Sequence, residues 1–379
     1  MTDNKTALGL CAIALVGLSA CGSSETGGGT AEPEAAAVDS AEPMPAAVAA
    51  VAASDAAGDA CASDGEIEYV CGVANAEDIV AVGDTGWLVA SRLTPLGGTV
   101  GAGGLYLIDV QARTVRDLFP GDSPTLRHDQ AMFPSCPGLD LEAFDTHGLA
   151  IREREPGVYR LYATSHGAVE AIQAFELDVR GTEPQVAWVG CVPLPEGIWA
   201  NSVAILSDGG FVTTKFVDDP ANPEGFPKIL AGEINGEVYE WRPGGEVRAI
   251  PGTELSGANG IELSPDERFM YVAAFGGREV VRYDLSTSPP TKVSVSLDVN
   301  PDNLRWAPDG TLLTVGGNLA AGQGGWTVYR IDVDAMQATS IGGADGSAKL
   351  QGASTALEVD GEIWIGTYNG DRVGIMPSR

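Results

Sequence analysis

Five polar residues stand at the same place in a recurring pattern. Glu77, His147, Asn201, Asn259 and Asp302 each head a short apolar run. Four of them offer side-chain oxygens, and such donors suit a hard divalent cation, which takes roughly six to eight oxygens. The fifth is an imidazole, a usable proton acceptor near neutral pH because its unperturbed pKa is about 6.5. The chain has 3 histidines. His128 lies in a polar loop and reads as structural, which leaves His147 and His166 for chemistry. No G-x-S-x-G is present, so no serine nucleophile is implied. No C-x-x-C or H-x-x-x-H spacing points to structural zinc.

The elements that must position these residues are strands. One unit recurs: a polar residue, an apolar run, a turn and a second apolar run. It appears as Glu77-Asp78-IVAV-GDTG-WLVAS, His147-GLAI-REREPG-VYRLYATS and Asn201-SVAIL-SDGG-FVTTK. It returns as Asn259-GIEL-SPDER-FMYVAAF, Asp302-Asn303-LRW-APDG-TLLTV and Ser354-TALEV-DGE-IWIGTYN. The six hairpins are spaced by about 43 to 70 residues, each with room for two further strands. No long amphipathic helical pattern accompanies them, which argues against a parallel α/β fold. The spacing predicts an all-β six-bladed propeller with four-stranded blades, although no WD40 or kelch signature is present. In a propeller the innermost strands line the axis, so the polar heads converge at one mouth of the tunnel. A turn-capping role would explain any one such Asn or Asp, but not five equivalent positions.

The chain has 379 residues, with 52 acidic residues against 22 Lys plus Arg, a formal net charge of −30. Such a surface repels phosphate backbones, so no nucleic-acid partner is expected. The organisation is read as three parts: residues 1–20, 21–62 and 63–379. The first contains a short apolar run, ALGLCAIALVGL (7–18), preceded by Lys5. It suits a signal peptide and is too short to span a bilayer. It ends in Leu18-Ser19-Ala20-Cys21, which resembles the lipobox of bacterial lipoproteins. That resemblance implies lipidation of Cys21 and export. With no Asp just after Cys21, it implies an anchor in the bacterial envelope, at the outer membrane. Several acyl chains on one residue would make that attachment stable, and the membrane would be met through the N-terminal lipid alone. The Ala/Gly/Pro/Glu-rich segment that follows reads as a disordered tether. Four cysteines remain, Cys61, Cys71, Cys136 and Cys191, and allow two disulfides in three connectivities.

At its polar positions the chain resembles the paraoxonases, calcium-dependent lactonases and arylesterases, and more distantly the gluconolactonase and regucalcin group. The matching stretches are AEDIV (76–80), THGLA (146–150), SHGAVEAIQAFEL (165–177) and ANSVAI (200–205). They continue with GANGIELSPDERFMYVA (257–273), PDNLRW (301–306) and LQGASTALEVDGEIWIGT (350–367). The ordered set covers about 71–375. The resemblance implies a catalytic Ca2+ held by Glu77, Asn201, Asn259, Asp302 and Asn303, with His147 activating water and His166 orienting it or accepting its proton onward. Consecutive residues in a strand point to opposite faces, which sets Asn303 apart from the other four. The resemblance also implies a second, structural Ca2+ on Asp78 and the carbonyl of Leu149. The family's third ligand there is an Asp, and this chain has Ser202.

Two departures stand out. The family's disulfide to the C-terminus cannot form, because the chain ends GIMPSR. Cys136 and Cys191 each precede a site strand and can pair, leaving Cys61 for Cys71. Substrate choice is expected in loops over the tunnel mouth, here 91–104 and 216–234, and the second is richer in Pro than the family's lid helix. Three functions compete. One is a calcium-dependent hydrolase of small hydrophobic lactones or aryl and carboxylic esters; the His pair favours it. The second is a gluconolactonase-type sugar lactonase. The third is a non-catalytic propeller that calcium merely stabilises, since a fold alone does not imply an enzyme.

Overall fold

The computed structural model describes residues 61–94, 103–319 and 324–379. The expected leader, Cys21 and most of the tether lie outside the described residues, as does part of the 91–104 loop. Among the described residues, short runs rich in Val, Ile, Leu and aromatics form 25 strands, gathered into six sheets. The first sheet runs β2 (Ile79–Ala81), β3 (Trp87–Arg92), β4 (Gly104–Asp109) and β5 (Thr114–Phe119). The second runs β7 (Leu149–Glu155), β8 (Val158–His166), β9 (Glu170–Asp178) and β10 (Gln185–Pro193). It carries an extra two-residue strand, β6 (Thr125–Leu126), parallel to β10. The third is β11 (Trp199–Ile205), β12 (Phe211–Val217), β13 (Glu237–Trp241) and β14 (Arg248–Ala249). The fourth is β15 (Ala258–Leu263), β16 (Phe269–Ala274), β17 (Glu279–Asp284) and β18 (Thr291–Ser296). The fifth is β19 (Leu304–Trp306), β20 (Leu312–Gly316), β21 (Gly325–Asp332) and β22 (Gln337–Asp345).

The sixth sheet closes the ring. Strands β23 (Ala353–Val359), β24 (Glu362–Thr367) and β25 (Arg372–Pro377) come from the end of the chain, and β1 (Glu68–Cys71) pairs antiparallel with β25. A backbone ladder between the first and last described strands therefore closes the ring. The disulfides that do form are Cys61–Cys71 and Cys136–Cys191, the expected pairs. Strands β2, β7, β11, β15, β19 and β23 touch in cyclic order, so the six predicted hairpins supply the six inner strands of the propeller. Alternate faces of the blades carry the apolar side chains that fill the inter-blade cores, with Trp364, Tyr162 and Phe175 among the largest.

Around the axis the inner strands meet backbone to backbone. Gly148 N–H donates to Asn201 O at 3.0 Å, Gly260 N–H to Asp302 O at 3.2 Å, and Asn303 N–H to Ser354 O at 2.9 Å. This approach explains the glycines that follow two of the polar heads. A Cβ on Gly148 would sit 2.4 Å from Asn201 O, and one on Gly260 would sit 2.5 Å from Asp302 O. Neither obstacle is a flexible side chain, so neighbouring blades would have to separate. Overpacking of a rigid site costs about 1–3 kcal/mol. Gly260→Ala is therefore expected to lower the unfolding free energy by that amount, seen as a lower denaturant midpoint by far-UV circular dichroism. An unchanged midpoint would contradict the close-packed axis.

Candidate active site

The polar heads do converge. Glu77, His147, Asn201, Asn259 and Asp302 line the floor of one cavity of about 660 Å³. Asn303 is fully buried and does not line that cavity; its amide Nδ2 donates to Glu77 Oε1 at 2.7 Å. It precedes β19 rather than lying within it, so the alternation of a strand does not turn it away. Ser354, the head of the sixth repeat, donates its hydroxyl to the Glu77 carbonyl at 2.6 Å and fixes the backbone of that residue.

The orientation of the amides carries chemical information. Asn303 turns its NH2 to Glu77, Asn259 donates to Asp302, and Asn201 Nδ2 faces His147 Nε2 at 3.4 Å. Each amide thereby leaves its carbonyl oxygen free. Asn201 Oδ1, Asn259 Oδ1, Asn303 Oδ1 and Glu77 Oε2 are all buried without a hydrogen-bond donor. Buried acceptors left unpaired are costly and rare, and these four belong to residues of one cluster around Glu77. Burial and the nearby Glu77 carboxylate push Asp302 well above the usual carboxylate range. Uncompensated negative charge and unpaired oxygens are together what a hard cation binds, and the donor set of two carboxylates and three amides fits Ca2+.

His147 is buried beside this cluster, its Nε2 3.7 Å from Glu77 Oε1. Burial pushes its pKa down, but the carboxylates of Glu77, Asp145 and Asp78 outweigh burial and hold it above the ordinary value. Its other nitrogen, Nδ1, lies 2.7 Å from His166 Nε2. His166 Nδ1 in turn meets both carboxylate oxygens of Glu170 at 3.0 Å. Glu170 also accepts the Ala200 N–H at 2.8 Å, and Trp199 stacks on the His166 ring at 4.2 Å. The chain of partners fixes both tautomers: Glu170 requires the proton on His166 Nδ1, which leaves His166 Nε2 to accept from His147 Nδ1–H. His147 Nε2 then presents a lone pair to the cavity.

The walls above this floor are mainly apolar, with Asp219, Asn222, Tyr368 and Asn369 as their polar members. Trp199, Phe216 and Val217 at the ends of β11 and β12 face Phe226 and Ile229 of α1 (Gly225–Leu230) and Phe275. The 216–234 segment thus contributes a short helix over the mouth, and Leu93 from the described part of the 91–104 loop completes the rim. His128 lies apart, packed on Trp188 with Nε2 at 3.2 Å from the Phe133 carbonyl, as a structural residue would be.

The second ion implied by the resemblance meets an obstacle. Asp78 and the Leu149 carbonyl do face each other, but both are taken by the guanidinium of Arg305. Its Nη2 donates to the Asp78 carboxylate and, at 2.9 Å, to Leu149 O. The candidate ligands Asp78 and Leu149 are thus both hydrogen-bonded to Arg305. Ser202, where the family's pattern has an Asp, is fully buried and brings no charge.

Sequence reasoning passed over Glu170, Trp199 and Arg305. A signal existed for two of them. Gly167 opens a three-residue loop that sets Glu170 directly opposite His166 across β8 and β9. Arg305 stands three residues after Asp302, and the same offset gives Val80, Ala150, Ala204 and Leu357 in four other repeats. In the fourth repeat it gives Glu262, which accepts from Arg305 Nη1 at 3.2 Å. A charge pair at a position otherwise apolar was the clue.

A six-bladed propeller with a polar tunnel mouth is the class that this fold and floor define. The chain belongs to the SMP-30/gluconolactonase/LRE-like family, whose model matches residues 99–342. That span includes both site histidines, Asn201, Asn259, Asp302 and Asn303, and leaves Glu77 outside. No curated protein matches the sequence. Among solved structures, a gluconolactonase from Xanthomonas campestris is 19% identical over 83% of this chain and 89% of its own, with a TM-score of 0.51. A luciferin-regenerating enzyme is 14% identical over 82% of this chain and 94% of its own, also with a TM-score of 0.51. At these identities the likeness is one of fold.

The tautomer argument is directly testable. At about pH 10, where unperturbed imidazole is neutral, long-range 1H–15N correlation spectra should place the protons of His147 and His166 on Nδ1. His147→Gln and His166→Gln supply the assignments. An Nε2–H form of either ring would break the chain of partners.

Proposed function

We propose that this chain is a calcium-dependent hydrolase of small lactones or esters with apolar substituents, working by chemistry of the paraoxonase kind. The observation that carries the reading is the junction of floor and wall: unpaired oxygens beside a histidine relay, under an apolar cavity. Glu77, Asn201, Asn259, Asp302 and Asn303 would hold the ion. When bound, Ca2+ polarises a carbonyl and stabilises the negative charge that grows on its oxygen.

The chain's own residues do the rest. His147 Nε2 takes a proton from the attacking water, while Nδ1–H is held by His166, whose ring is fixed by Glu170 and Trp199. The carbonyl carbon gains the water oxygen and the ring C–O bond breaks. The proton held at His147 returns to the leaving oxygen, so a lactone opens to one hydroxy acid. Phe216, Phe226 and Phe275 cover the apolar arm of the substrate and keep bulk water from the floor, where low dielectric strengthens each polar contact.

Membership of the gluconolactonase-like family favours a second reading, a sugar lactonase. A polyhydroxylated substrate needs polar partners on the walls, and here the walls are mainly aromatic and aliphatic. Hydrolysis assays should give a higher kcat/KM for γ- and δ-lactones with alkyl or aryl substituents than for sugar lactones. Chelator should abolish turnover, and His147→Gln should reduce it about 100-fold or more, the usual worth of a positioned base. Chelator-sensitive activity confined to sugar lactones and surviving His147→Gln would establish the second reading. Calcium binding with no turnover of any substrate would leave a binding propeller.

We infer as well that the protein is exported and lipid-anchored through Cys21. Expressed in a bacterium, the chain should enter the detergent phase on Triton X-114 partition, and Cys21→Ser should move it to the aqueous phase. Aqueous partition of the unaltered chain would refute the anchor.

A further inference from the structure

Arg305 is 4% exposed and lies in the interior of the tunnel, where no other basic residue is described against the same carboxylates. Its guanidinium contacts four blades. Nη2 binds the Asp78 carboxylate at the head of the first blade and Leu149 O of the second. Nη1 binds Glu262 of the fourth blade at 3.2 Å, as well as Leu304 O of its own, the fifth, at 2.7 Å. Nε binds Ile79 O at 2.9 Å. Every nitrogen of the fork is used, and its acceptors are two carboxylates and three backbone carbonyls.

That arrangement is the work of a structural metal ion done by a side chain. A divalent cation at this point would need the Asp78 carboxylate and the Leu149 carbonyl, and the planar fork already occupies both. A nearby third position carries Ser202, a neutral hydroxyl. An arginine stays charged at any pH at which a protein folds, and its five donors have fixed directions. It therefore satisfies several carbonyls and carboxylates at once, without deprotonated ligands or metal in the medium. We propose that Arg305 is the resident cation of the tunnel, fastening four blades in place of a metal ion, so that the chain takes one divalent cation, at the mouth, and keeps its ring closed without it.

The inference separates from the proposed function by experiment. Isothermal titration with Ca2+ on the chelator-stripped full chain should give one site per chain, lost in Asn259→Ala. A second site that survives Asn259→Ala would overturn the role of Arg305. No site at all would defeat the metal at the mouth while leaving the fastener standing. Thermal melting in chelator is the second arm. The unaltered chain should unfold in one cooperative step, whereas Arg305→Met, which strands two carboxylates, should melt about 10 °C lower. Equal melting temperatures in chelator would overturn the proposal even where titration finds one site.

Discussion

Glu77, Asp78 and Asp302 are buried around a narrow axis, with Glu262 close behind, and the chain as a whole carries a net charge of −30. Like charges in a low-dielectric interior repel strongly, and a carboxylate out of water must find a cation, a donor or a proton. The tunnel answers differently at its two levels. In the interior, Arg305 stands between Asp78 and Glu262 and offsets part of their charge, although burial still raises their carboxyls to about 6 and about 7. At the mouth, Glu77 and Asp302 stand among amides and His147, and burial with the Glu77 carboxylate pushes Asp302 well above the usual carboxylate range. A fixed cation thus stands where the fold needs permanence, and oxygens without a donor stand where a reaction would need an electrophile. The proposed chemistry depends on that division.

The amides sharpen it. An Asn can donate and accept: Asn303 and Asn259 turn their donors to Glu77 and Asp302, Asn201 faces His147 at 3.4 Å, and the carbonyl oxygens of all three are buried without a donor. Carboxylates in the same places would have quenched the field of a bound ion and repelled one another. His147 gains from the same economy. The Asn201 amide meets its Nε2, while the His166–Glu170 pair holds Nδ1, so its orientation is set on both sides before any substrate arrives. Trp199, two residues ahead of Asn201 on β11, stacks on His166 and also forms the cavity wall. One strand therefore carries an oxygen donor, the ring that braces the relay, and the start of the apolar surface.

Much of this was legible because a propeller writes its geometry into a repeat. The six polar heads occupy equivalent positions, and equivalence in sequence becomes convergence in space once the inner strands ring the axis. That logic found Glu77, His147, Asn201, Asn259 and Asp302, and it found the number of blades. It was silent on whatever the repeat does not encode. Glu170 reaches His166 through a local hairpin loop found in one blade. Arg305 breaks the repeat, and its importance lies in contacts to three other blades, of which the repeat offset links it only to Glu262. The second ion was expected on Asp78 and Leu149, and the repeat did not reveal that Arg305 donates to both. The extra strand β6 and the helix over the mouth also sit outside the repeat, in connections whose lengths differ from blade to blade.

Closure of the ring bears on the site more directly than its position suggests. Strand β1 ends at Cys71, six residues before Glu77, and between them the chain is pinned to the last blade. Asn75 N–H donates to Gly370 O at 2.8 Å, and Thr367 N–H donates to Ala76 O at 2.8 Å. Ser354 then holds the Glu77 carbonyl. Glu77 is thus positioned largely by residues nearly three hundred positions away, through the same blade that β1 completes. A ring of blades is as rigid as its weakest junction, and here the junction where the first and last described strands meet is also the side from which Glu77 projects. Cys61–Cys71 ties off β1 at that point. Loss of the β1–β25 ladder would therefore release Glu77 before it disturbed His147, Asn201 or Asn259, whose blades are continuous in sequence.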